Sequence, residues 1–428
     1  MKYKVTTLGC KVNQVETQAI EEMLRDRGFA PADEGEAADL VIVNTCAVTA
    51  ESGRKSRQAI RKLMGENPNA VSAVCGCFSQ LSPEETAALG CDVVHGSGDK
   101  RHFINDLERA VGEKQKILWT DKPFERRVME ELHGGAHGGR TRAMLKIQDG
   151  CANFCTYCII PYTRGRIRSL PTERCAVQAA QLSAEGYREL VVTGIEIASY
   201  GRDFDDKRTL IDAVEAITAH SGDMRIRLGS LEPTVVTEDF CRRLAATGKV
   251  CNHFHLSLQS GCDEILHRMN RKYDTQRFYE ACRLLREFFP GCGLTADLIV
   301  GFPGESEENH KDTLEFIKRC AFSSMHIFPY SIRPGTRAAE MAGQLPNTEK
   351  ARRAAQAQQL AESMENDYLN SCVGQTLEVL FETEREGVST GHAANYAQVS
   401  VSGGQLRGLV ESVKILGISN KMLVGKLV

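Results

Sequence analysis

Three cysteines near the middle of the sequence have the spacing of a metal-binding loop. Cys151, Cys155 and Cys158 form the pattern Cys-x3-Cys-x2-Cys after an alternating run, residues 144–148, that predicts a strand. Three thiolates this close can hold three irons of a 4Fe–4S cluster and leave the fourth iron without a protein ligand. The alternatives are a zinc knuckle and three unrelated cysteines. Structural zinc prefers four ligands, and no second cysteine or histidine pair lies nearby. An open position on the metal would indicate that a substrate binds there.

A second group of three cysteines follows from the order of the predicted elements in the first 121 residues. Strands alternate with helices there, which predicts a parallel sheet covered on both faces. Cys10, Cys46 and Cys77 each come just after one predicted strand. Because the carboxyl ends of parallel strands share one edge of a sheet, these cysteines are expected to converge. Small residues at strand ends are the ordinary alternative, and Cys75 competes with Cys77. The predicted strands are residues 4–8, 40–44, 71–74 and 92–95.

The central region repeats the alternation of strand and helix at longer spacing. Six such units predict a partial (β/α) barrel, whose chemistry should gather at the carboxyl ends of the strands. The region before it, residues 122–142, contains Gly134, Gly135, Gly138 and Gly139 and indicates a flexible linker or a lid. No P-loop or Rossmann glycine pattern is present in the sequence. The predicted barrel strands are residues 144–148, 189–193, 225–228, 253–258, 294–300 and 326–330.

The last part of the chain changes pattern twice. Residues 347–369, rich in Ala, Gln, Glu and Arg, predict one long helix leading out of the barrel. Short strands separated by glycine-rich turns then predict a small antiparallel barrel. The predicted strands are residues 376–381, 397–401, 408–415 and 422–427.

The length, net charge and cysteine content limit the class of protein and its cellular compartment. A length of 428 residues predicts two to four domains, and a net charge of −3 excludes a globally basic nucleic-acid binder. Local positive charge lies in the helix 50–64 and in the run Arg164, Arg166 and Arg168. We predict a cytoplasmic protein, because there is no apolar signal core and no run long enough to span a bilayer. Sixteen cysteines fit a reducing compartment with metal binding better than a disulfide scaffold.

The cysteine loop resembles that of the radical S-adenosylmethionine (SAM) superfamily. Residues 146–165, from Lys-Ile-Gln-Asp-Gly-Cys to Pro-Tyr-Thr-Arg-Gly, are similar to its methylthiotransferase branch. Residues 7–14, 44–49 and 76–80 resemble the three cysteine motifs of that branch's N-terminal domain, and the last of these favours Cys77 over Cys75. The C-terminal strands resemble the TRAM module, an RNA-binding β-barrel.

The resemblance implies an α/β protein with three domains in a fixed order. It places an N-terminal parallel-sheet domain for an auxiliary cluster at residues 1–121 and a linker at 122–142. A radical SAM domain with a partial (β/α)6 barrel is expected at 143–371, and a TRAM antiparallel barrel at 372–428.

The resemblance also implies the cofactors and the residues that bind them. Two 4Fe–4S clusters are expected, together with SAM. One cluster would be held by Cys10, Cys46 and Cys77, and the other by Cys151, Cys155 and Cys158. Contacts to SAM are expected from Gly194, Glu232 and Gln259. Glu196 departs from the family pattern, in which a neutral polar side chain or histidine is expected.

The motif variants are most similar to the branch that acts on threonylcarbamoyladenosine beside the anticodon of tRNA. That branch adds a methylthio group to C2 of the adenine, after SAM cleavage gives a 5′-deoxyadenosyl radical that removes the hydrogen. The implied partners are tRNA, an electron donor such as flavodoxin or ferredoxin, and a sulfur source. No association with a membrane is expected. The alternatives are action on another tRNA adenosine or on a ribosomal protein, and a non-enzymatic iron–sulfur RNA-binding sensor.

Overall fold

The N-terminal domain is a six-stranded parallel sheet flanked by helices. The computed structural model of the protein describes residues 1–133, 135 and 141–428. The strands are β1 (Lys2–Thr7), β2 (Ala30–Pro31), β3 (Leu40–Thr45), β4 (Val71–Gly76), β5 (Val93–His95) and β6 (Ile117–Trp119). The helices are α1 (Lys11–Asp26), α2 (Ala50–Glu66), α3 (Cys77–Leu81), α4 (Pro83–Ala87) and α5 (Lys100–Glu113). The spatial order of the strands is β2-β1-β3-β4-β5-β6, with parallel pairing throughout.

The predicted parallel sheet is confirmed, but sequence analysis missed its last helix and last strand. All six residues of β3 are buried, as expected for a strand covered on both faces. Helix α5 buries Phe103, Ile104, Leu107 and Ala110, an amphipathic spacing that was present in the sequence. The strand β6 has three residues, too few to show a pattern.

The central domain is a partial barrel of six parallel strands with one short antiparallel addition. Its strands are β7 (Arg142–Asp149), β8 (Arg168–Ser169), β9 (Glu189–Gly194), β10 (Arg225–Leu228), β11 (His253–Gln259), β12 (Gly293–Val300) and β13 (Ser324–Pro329). They form two sheets, β10-β9-β7-β8 and β11-β12-β13, which the isolated bridge between Leu231 and Leu256 connects. Only β8 runs antiparallel to its neighbour in the described sheets of this domain. The predicted partial (β/α)6 barrel is confirmed.

Eight α-helices of this domain are described. They are α6 (Ile160–Arg164), α7 (Thr172–Ala184), α8 (Leu210–His220), α9 (Glu238–Ala246), α10 (Asp263–Arg268), α11 (Thr275–Phe288), α12 (Glu307–Cys320) and α13 (Asn347–Cys372). The short α6 among them packs against α3 of the N-terminal domain. Cys241, Cys282 and Cys320 on these helices are completely buried in the hydrophobic core. The last helix, α13, is 26 residues long but highly polar. Within the described part of the chain, no helix has the length and apolar character needed to cross a membrane.

The C-terminal domain is a closed barrel that packs on the amino ends of the parallel strands. Its strands are β14 (Thr376–Arg385), β15 (Val388–Ala393), β16 (Gln398–Ser402), β17 (Val410–Ser419) and β18 (Met422–Leu427), in the order β14-β15-β16-β18-β17. Arg225 at the start of β10 donates to the carbonyl oxygen of His392 at 2.9 Å, and Arg227 donates to that of Ala394 at 3.1 Å. Sequence analysis missed β15, whose residues Val-Ser-Thr-Gly-His-Ala lack an apolar alternation.

The first half of the predicted linker is packed, so the prediction of a flexible connection is wrong for it. The Arg126 guanidinium donates to Gln80 Oε1 at 2.9 Å and to Ser97 Oγ at 3.0 Å. Met129 is buried in the core of the barrel, and Leu132 is buried between α1 and the barrel strands β7 and β9. Of the glycines in this region, Gly134, Gly138 and Gly139 lie outside the described residues.

The turn from β7 into the cysteine loop gives a test of the fold. Gly150 has a φ of +76°, and an added Cβ would lie 1.8 Å from the carbonyl oxygen of Arg166. Gly186 has a φ of +88° with open space around it. We expect Gly186→Ala to cost about 1–2 kcal/mol from the left-handed backbone alone. Gly150→Ala should prevent native packing of the loop and of β8. The urea midpoints of the two variants measure this difference, and equal midpoints would contradict the described turn.

Candidate iron–sulfur and cofactor site

The loop that carries Cys151, Cys155 and Cys158 is fastened by hydrogen bonds on both sides. The backbone nitrogen of Cys151 donates to the carbonyl oxygen of Gly165 at 3.1 Å. On the other side, Asn270 Nδ2 donates to the carbonyl oxygens of Asn153 and Phe154 at 3.1 and 3.0 Å. Phe154 has a φ of +47°, a strained value for an aromatic residue. The loop therefore has one conformation imposed by its neighbours.

The surroundings of these three sulfurs fit an iron–sulfur cluster. Arg271 Nη1 donates to Cys155 Sγ at 3.2 Å, and the backbone nitrogen of Asn153 donates to Cys151 Sγ at 3.5 Å. Donors aimed at sulfur stabilise the thiolate form and tune the metal. Burial raises the pKa of Cys151 and of Cys158 to about 12. These thiols therefore ionise at neutral pH only when a metal binds them.

The second cysteine group lies at the carboxyl edge of the N-terminal sheet. Cys10 is the N-cap residue of α1, Cys46 directly follows β3, and Cys77 begins α3 directly after β4. A Cβ added to Gly9 would lie 2.8 Å from Cys46 Sγ, so glycine lets the first two loops touch. Burial raises the pKa of Cys10 and of Cys46, and the nearby Cys77 raises both further. The structure thus brings the three predicted cysteines together.

Two buried asparagines hold these loops in place. Asn13 Nδ2 donates to the carbonyl oxygens of Leu8 and Thr45 at 2.7 and 3.0 Å. Asn44 Nδ2 donates to the carbonyl oxygen of Asn13 at 3.0 Å.

Cys75 is completely buried in the hydrophobic core of the sheet. The structure therefore places Cys77, and not Cys75, at the edge with the other two cysteines.

The two cysteine groups lie next to each other across the contact between α3 and α6. Cys77 and Phe78 pack in one buried cluster with Ile159, the residue that follows Cys158. Arg164 at the end of α6 donates from Nε to Cys77 Sγ at 3.2 Å. The N-terminal sheet and the barrel therefore present their cysteine loops to the same region.

Arg164 also belongs to a buried charge network at this domain interface. Its guanidinium makes a bidentate contact with Glu16 of α1, and Nη2 donates to Asn13 Oδ1 at 2.8 Å. Lys146 Nζ lies 3.0 Å from Glu16 Oε1 and 2.7 Å from Asp149 Oδ2. Burial alone would raise the pKa of Glu16, but Arg164 and two buried lysines lower it to about 2. The network is therefore charged at neutral pH, and its carboxylates are paired with its buried cations.

This burial corrects the interpretation of the Arg164, Arg166 and Arg168 run as a basic surface. Arg164 is 0% exposed and Arg168 is 3% exposed. Arg168 Nη2 lies 3.5 Å from Asp149 Oδ2, in the same network. Only Arg166 of the three is exposed.

The residues predicted to contact SAM lie at the carboxyl ends of the barrel strands. Asn153 Nδ2 donates to Glu232 Oε2 at 3.0 Å and to Glu196 Oε2 at 3.1 Å, so both carboxylates face the cysteine loop. Burial, with a smaller effect of Glu232, raises the pKa of Glu196 to about 7. Gly194 ends β9, where an added Cβ would lie 2.8 Å from the carbonyl oxygen of Gln148. Gln259 ends β11 with a φ of +67°.

Sequence analysis missed three residues that shape the site. Asn153 lies within the cysteine loop, and that position was the only sequence feature that could have identified it as a site residue. Arg271 contacts Cys155 from far along the chain and also donates to the Tyr273 hydroxyl at 3.0 Å. Arg164 was identified as a cation, but its burial depends on Glu16, which no local pattern reveals.

Comparisons with known proteins show which families and folds this chain is similar to. The Radical SAM superfamily matches residues 145–317, and Uncharacterized protein family UPF0004 matches residues 2–96. The radical SAM methyltransferase TsrM from Kitasatospora setae, solved with cobalamin and a [4Fe-4S] cluster, superposes with a TM-score of 0.56 at 14% identity. That superposition covers 91% of this chain and 80% of TsrM. Together with the fold and the cysteine loop, these matches define a radical SAM enzyme, a class that uses SAM and a 4Fe–4S cluster.

Curated relatives narrow the class to one family. The threonylcarbamoyladenosine tRNA methylthiotransferase of Bacillus subtilis is 40% identical over 96% of this chain and 92% of its own. The protein of the same description from Thermotoga maritima is 35% identical over 98% of this chain and 96% of its own. The tRNA-2-methylthio-N(6)-dimethylallyladenosine synthase of Pelotomaculum thermopropionicum is 33% identical over 90% and 87%. The chain belongs to the methylthiotransferase family of radical SAM enzymes.

The buried charge network gives a prediction about stability. Glu16→Ala removes the bidentate partner of Arg164 and leaves buried positive charge uncompensated, which costs about 3–5 kcal/mol. Glu51→Ala in the same domain is the control, because the solvent-exposed pair of Glu51 with Arg54 contributes little to stability. Urea titration of both variants measures the free energy of unfolding. Equal losses in the two variants would show that the network does not hold the domains together.

Proposed function

We propose that the protein adds a methylthio group to C2 of threonylcarbamoyladenosine beside the anticodon of tRNA. In this proposal Cys151, Cys155 and Cys158 hold the 4Fe–4S cluster that binds SAM, and Cys10, Cys46 and Cys77 hold an auxiliary 4Fe–4S cluster. The observation that carries it is the direct contact of Cys77 with α6 and Ile159, next to Cys158. Both clusters would therefore border one reaction space.

The substrate assignment is supported by the degree of similarity to the curated relatives. Relatives described as threonylcarbamoyladenosine tRNA methylthiotransferases are 40% and 35% identical over nearly the whole chain. Relatives described as acting on dimethylallyladenosine are 33% identical. We therefore favour threonylcarbamoyladenosine over dimethylallyladenosine.

The chain's own residues would position the cofactor and keep the reaction space dry. The bound cluster and SAM supply radical reactivity, which C2 of adenine requires because it has no acidic proton. Glu232 and Glu196 offer carboxylate oxygens beside the cysteine loop, a suitable environment for the amino group of SAM. Gly194 leaves room at the end of β9, and Gln259 offers an amide at the end of β11. Arg271 donates a hydrogen bond to the Cys155 sulfur.

An exposed aromatic surface beside the cysteine loop supports RNA as the substrate. Phe124, Phe154 and Tyr162 are 37%, 40% and 42% exposed, and their ring centroids lie 6.0 to 6.3 Å apart. Unstacked bases of single-stranded RNA loops stack on such rings. Arg127 and Arg166 are exposed close to these rings along the chain and can pair with phosphates. An anticodon loop therefore finds both stacking partners and positive charge next to the cluster loop.

The remaining partners are proposed from the family resemblance. The C-terminal barrel, residues 372–428, would act as a TRAM module that holds the tRNA outside the anticodon loop. An electron donor such as flavodoxin or ferredoxin would reduce the cluster, and a sulfur source would supply the transferred sulfur. A reducing cytoplasmic compartment would keep the cluster cysteines free of disulfide bonds.

Nucleoside analysis tests the substrate. In cells lacking the gene, mass spectrometry of tRNA nucleosides should show threonylcarbamoyladenosine without its 2-methylthio form. The wild-type gene should restore the modification, and the Cys155→Ala variant should not, because the SAM cluster loses one ligand. Unchanged 2-methylthio-threonylcarbamoyladenosine, or a loss confined to dimethylallyladenosine or to a ribosomal protein, would overturn the assignment.

The division of labour between the two cysteine groups gives a second test. Cys46→Ala should leave anaerobic cleavage of SAM to 5′-deoxyadenosine intact and abolish methylthio transfer to tRNA, because only the auxiliary site is lost. Cys75→Ala is the matched control: Cys75 is buried in the core two residues before Cys77, so both activities should persist. If Cys46→Ala lost SAM cleavage while Cys75→Ala kept it, the two cysteine groups would not be separate sites.

A further inference from the structure

His95, at the carboxyl end of β5, is a buried histidine whose ring nitrogens lack partners. The residue is 0% exposed, and within the described residues neither Nδ1 nor Nε2 has a hydrogen-bond partner. Leaving a buried polar group without a hydrogen-bond partner is destabilising. A neutral imidazole has one ring nitrogen that can bind a metal ion.

Two further ligand groups on α5 face this ring. His102 and Asp106 are four residues apart and so lie on one face of the helix. One ligand atom from each of His95, His102 and Asp106 lies within 4.8 Å of the other two. His102 Nε2 is 3.6 Å from Asp106 Oδ1, and Asp106 Oδ2 is also buried without a hydrogen-bond partner among the described residues. Three unsatisfied buried atoms therefore belong to one small cluster.

We propose that His95, His102 and Asp106 bind a zinc ion, separate from both cysteine sites. Two imidazoles and one carboxylate form a known zinc ligand set, in which a water completes the tetrahedron. Zinc bonds of about 2.0–2.1 Å place neighbouring ligand atoms about 3.3 Å apart, close to the separation of His102 and Asp106. The other ligand-atom separations in the cluster, including those to His95, are at most 4.8 Å.

The surroundings support this site. Trp119 of β6 stacks on His95 at 4.3 Å and meets the His102 ring edge-on at 4.4 Å, so one indole positions both imidazoles. His102 is 34% exposed and gives an ion access from solvent. Arg109 Nη1, 3.5 Å from Asp106 Oδ1, is the competing partner, but its side chain is 51% exposed and the pair is correspondingly weak.

The ion would tie β5 to α5 close to the auxiliary cysteine group. The carbonyl oxygen of His95 accepts a hydrogen bond from Ser79 Oγ at 2.7 Å, and Ser79 lies on α3 two residues after Cys77. A zinc ion on the His95 ring would therefore stabilise the strand end against which α3 packs. The proposal does not depend on the substrate of the enzyme.

Zinc K-edge X-ray absorption on the full chain tests the proposal. The protein is first reconstituted anaerobically with iron and sulfide. It is then dialysed against zinc chloride and afterwards against buffer alone. We expect about one zinc per chain with only nitrogen and oxygen neighbours at about 2.0–2.1 Å. Sulfur neighbours at about 2.3 Å would place the zinc on cysteines and overturn the proposal. A chain without zinc would also overturn it and leave water as the partner of His95.

Two variants locate the ion. His102→Ala and Asp106→Asn should each weaken zinc binding at least about tenfold, while iron content is unchanged. His220→Ala, an exposed histidine at the end of α8, is the control and should retain the zinc. Zinc should raise the thermal midpoint of the wild type and of His220→Ala but not that of His102→Ala. Retention of zinc by both ligand variants would contradict the assignment.

Discussion

One buried guanidinium links the two halves of the candidate site. Arg164 touches Cys77, Asn13 and Glu16 of the N-terminal domain while it remains part of the barrel helix α6. Taking charges out of water costs several kcal/mol per ion unless they are paired and hydrogen-bonded. Glu16 and Asp149 provide that pairing only when α1 lies against β7 as described. The network therefore selects one relative position of the domains, and with it the proximity of the two cysteine groups.

The two ends of the parallel strands serve different purposes. The carboxyl ends carry the cysteine loop, the carboxylates Glu196 and Glu232, and the exposed aromatic rings. The amino ends are occupied by the C-terminal barrel, which Arg225 and Arg227 bind through backbone carbonyl oxygens. The C-terminal barrel and the proposed reaction space therefore lie at opposite ends of the parallel strands.

Local sequence patterns predicted the parallel sheet, the partial barrel and most strand limits, because alternation and strand-end position are short-range properties. Helix α5 also had a readable apolar spacing, which was overlooked. The contacts that build the site were not predictable in this way. In the sequence, Arg164 and Arg271 look like ordinary surface cations. They become donors to cysteine sulfur only through partners 87 and 116 residues away along the chain. The packing of Arg126 in the predicted linker likewise depends on Gln80 and Ser97, which no glycine count indicates.

An iron count with Mössbauer spectroscopy tests most directly whether the chain builds two separate three-cysteine sites. After anaerobic reconstitution the wild type should contain about eight irons in two 4Fe–4S clusters. A variant lacking Cys10, Cys46 and Cys77 should retain about four irons, and so should a variant lacking Cys151, Cys155 and Cys158. A wild type with about four irons, or with sulfur-bound zinc in place of either cluster, would contradict this account.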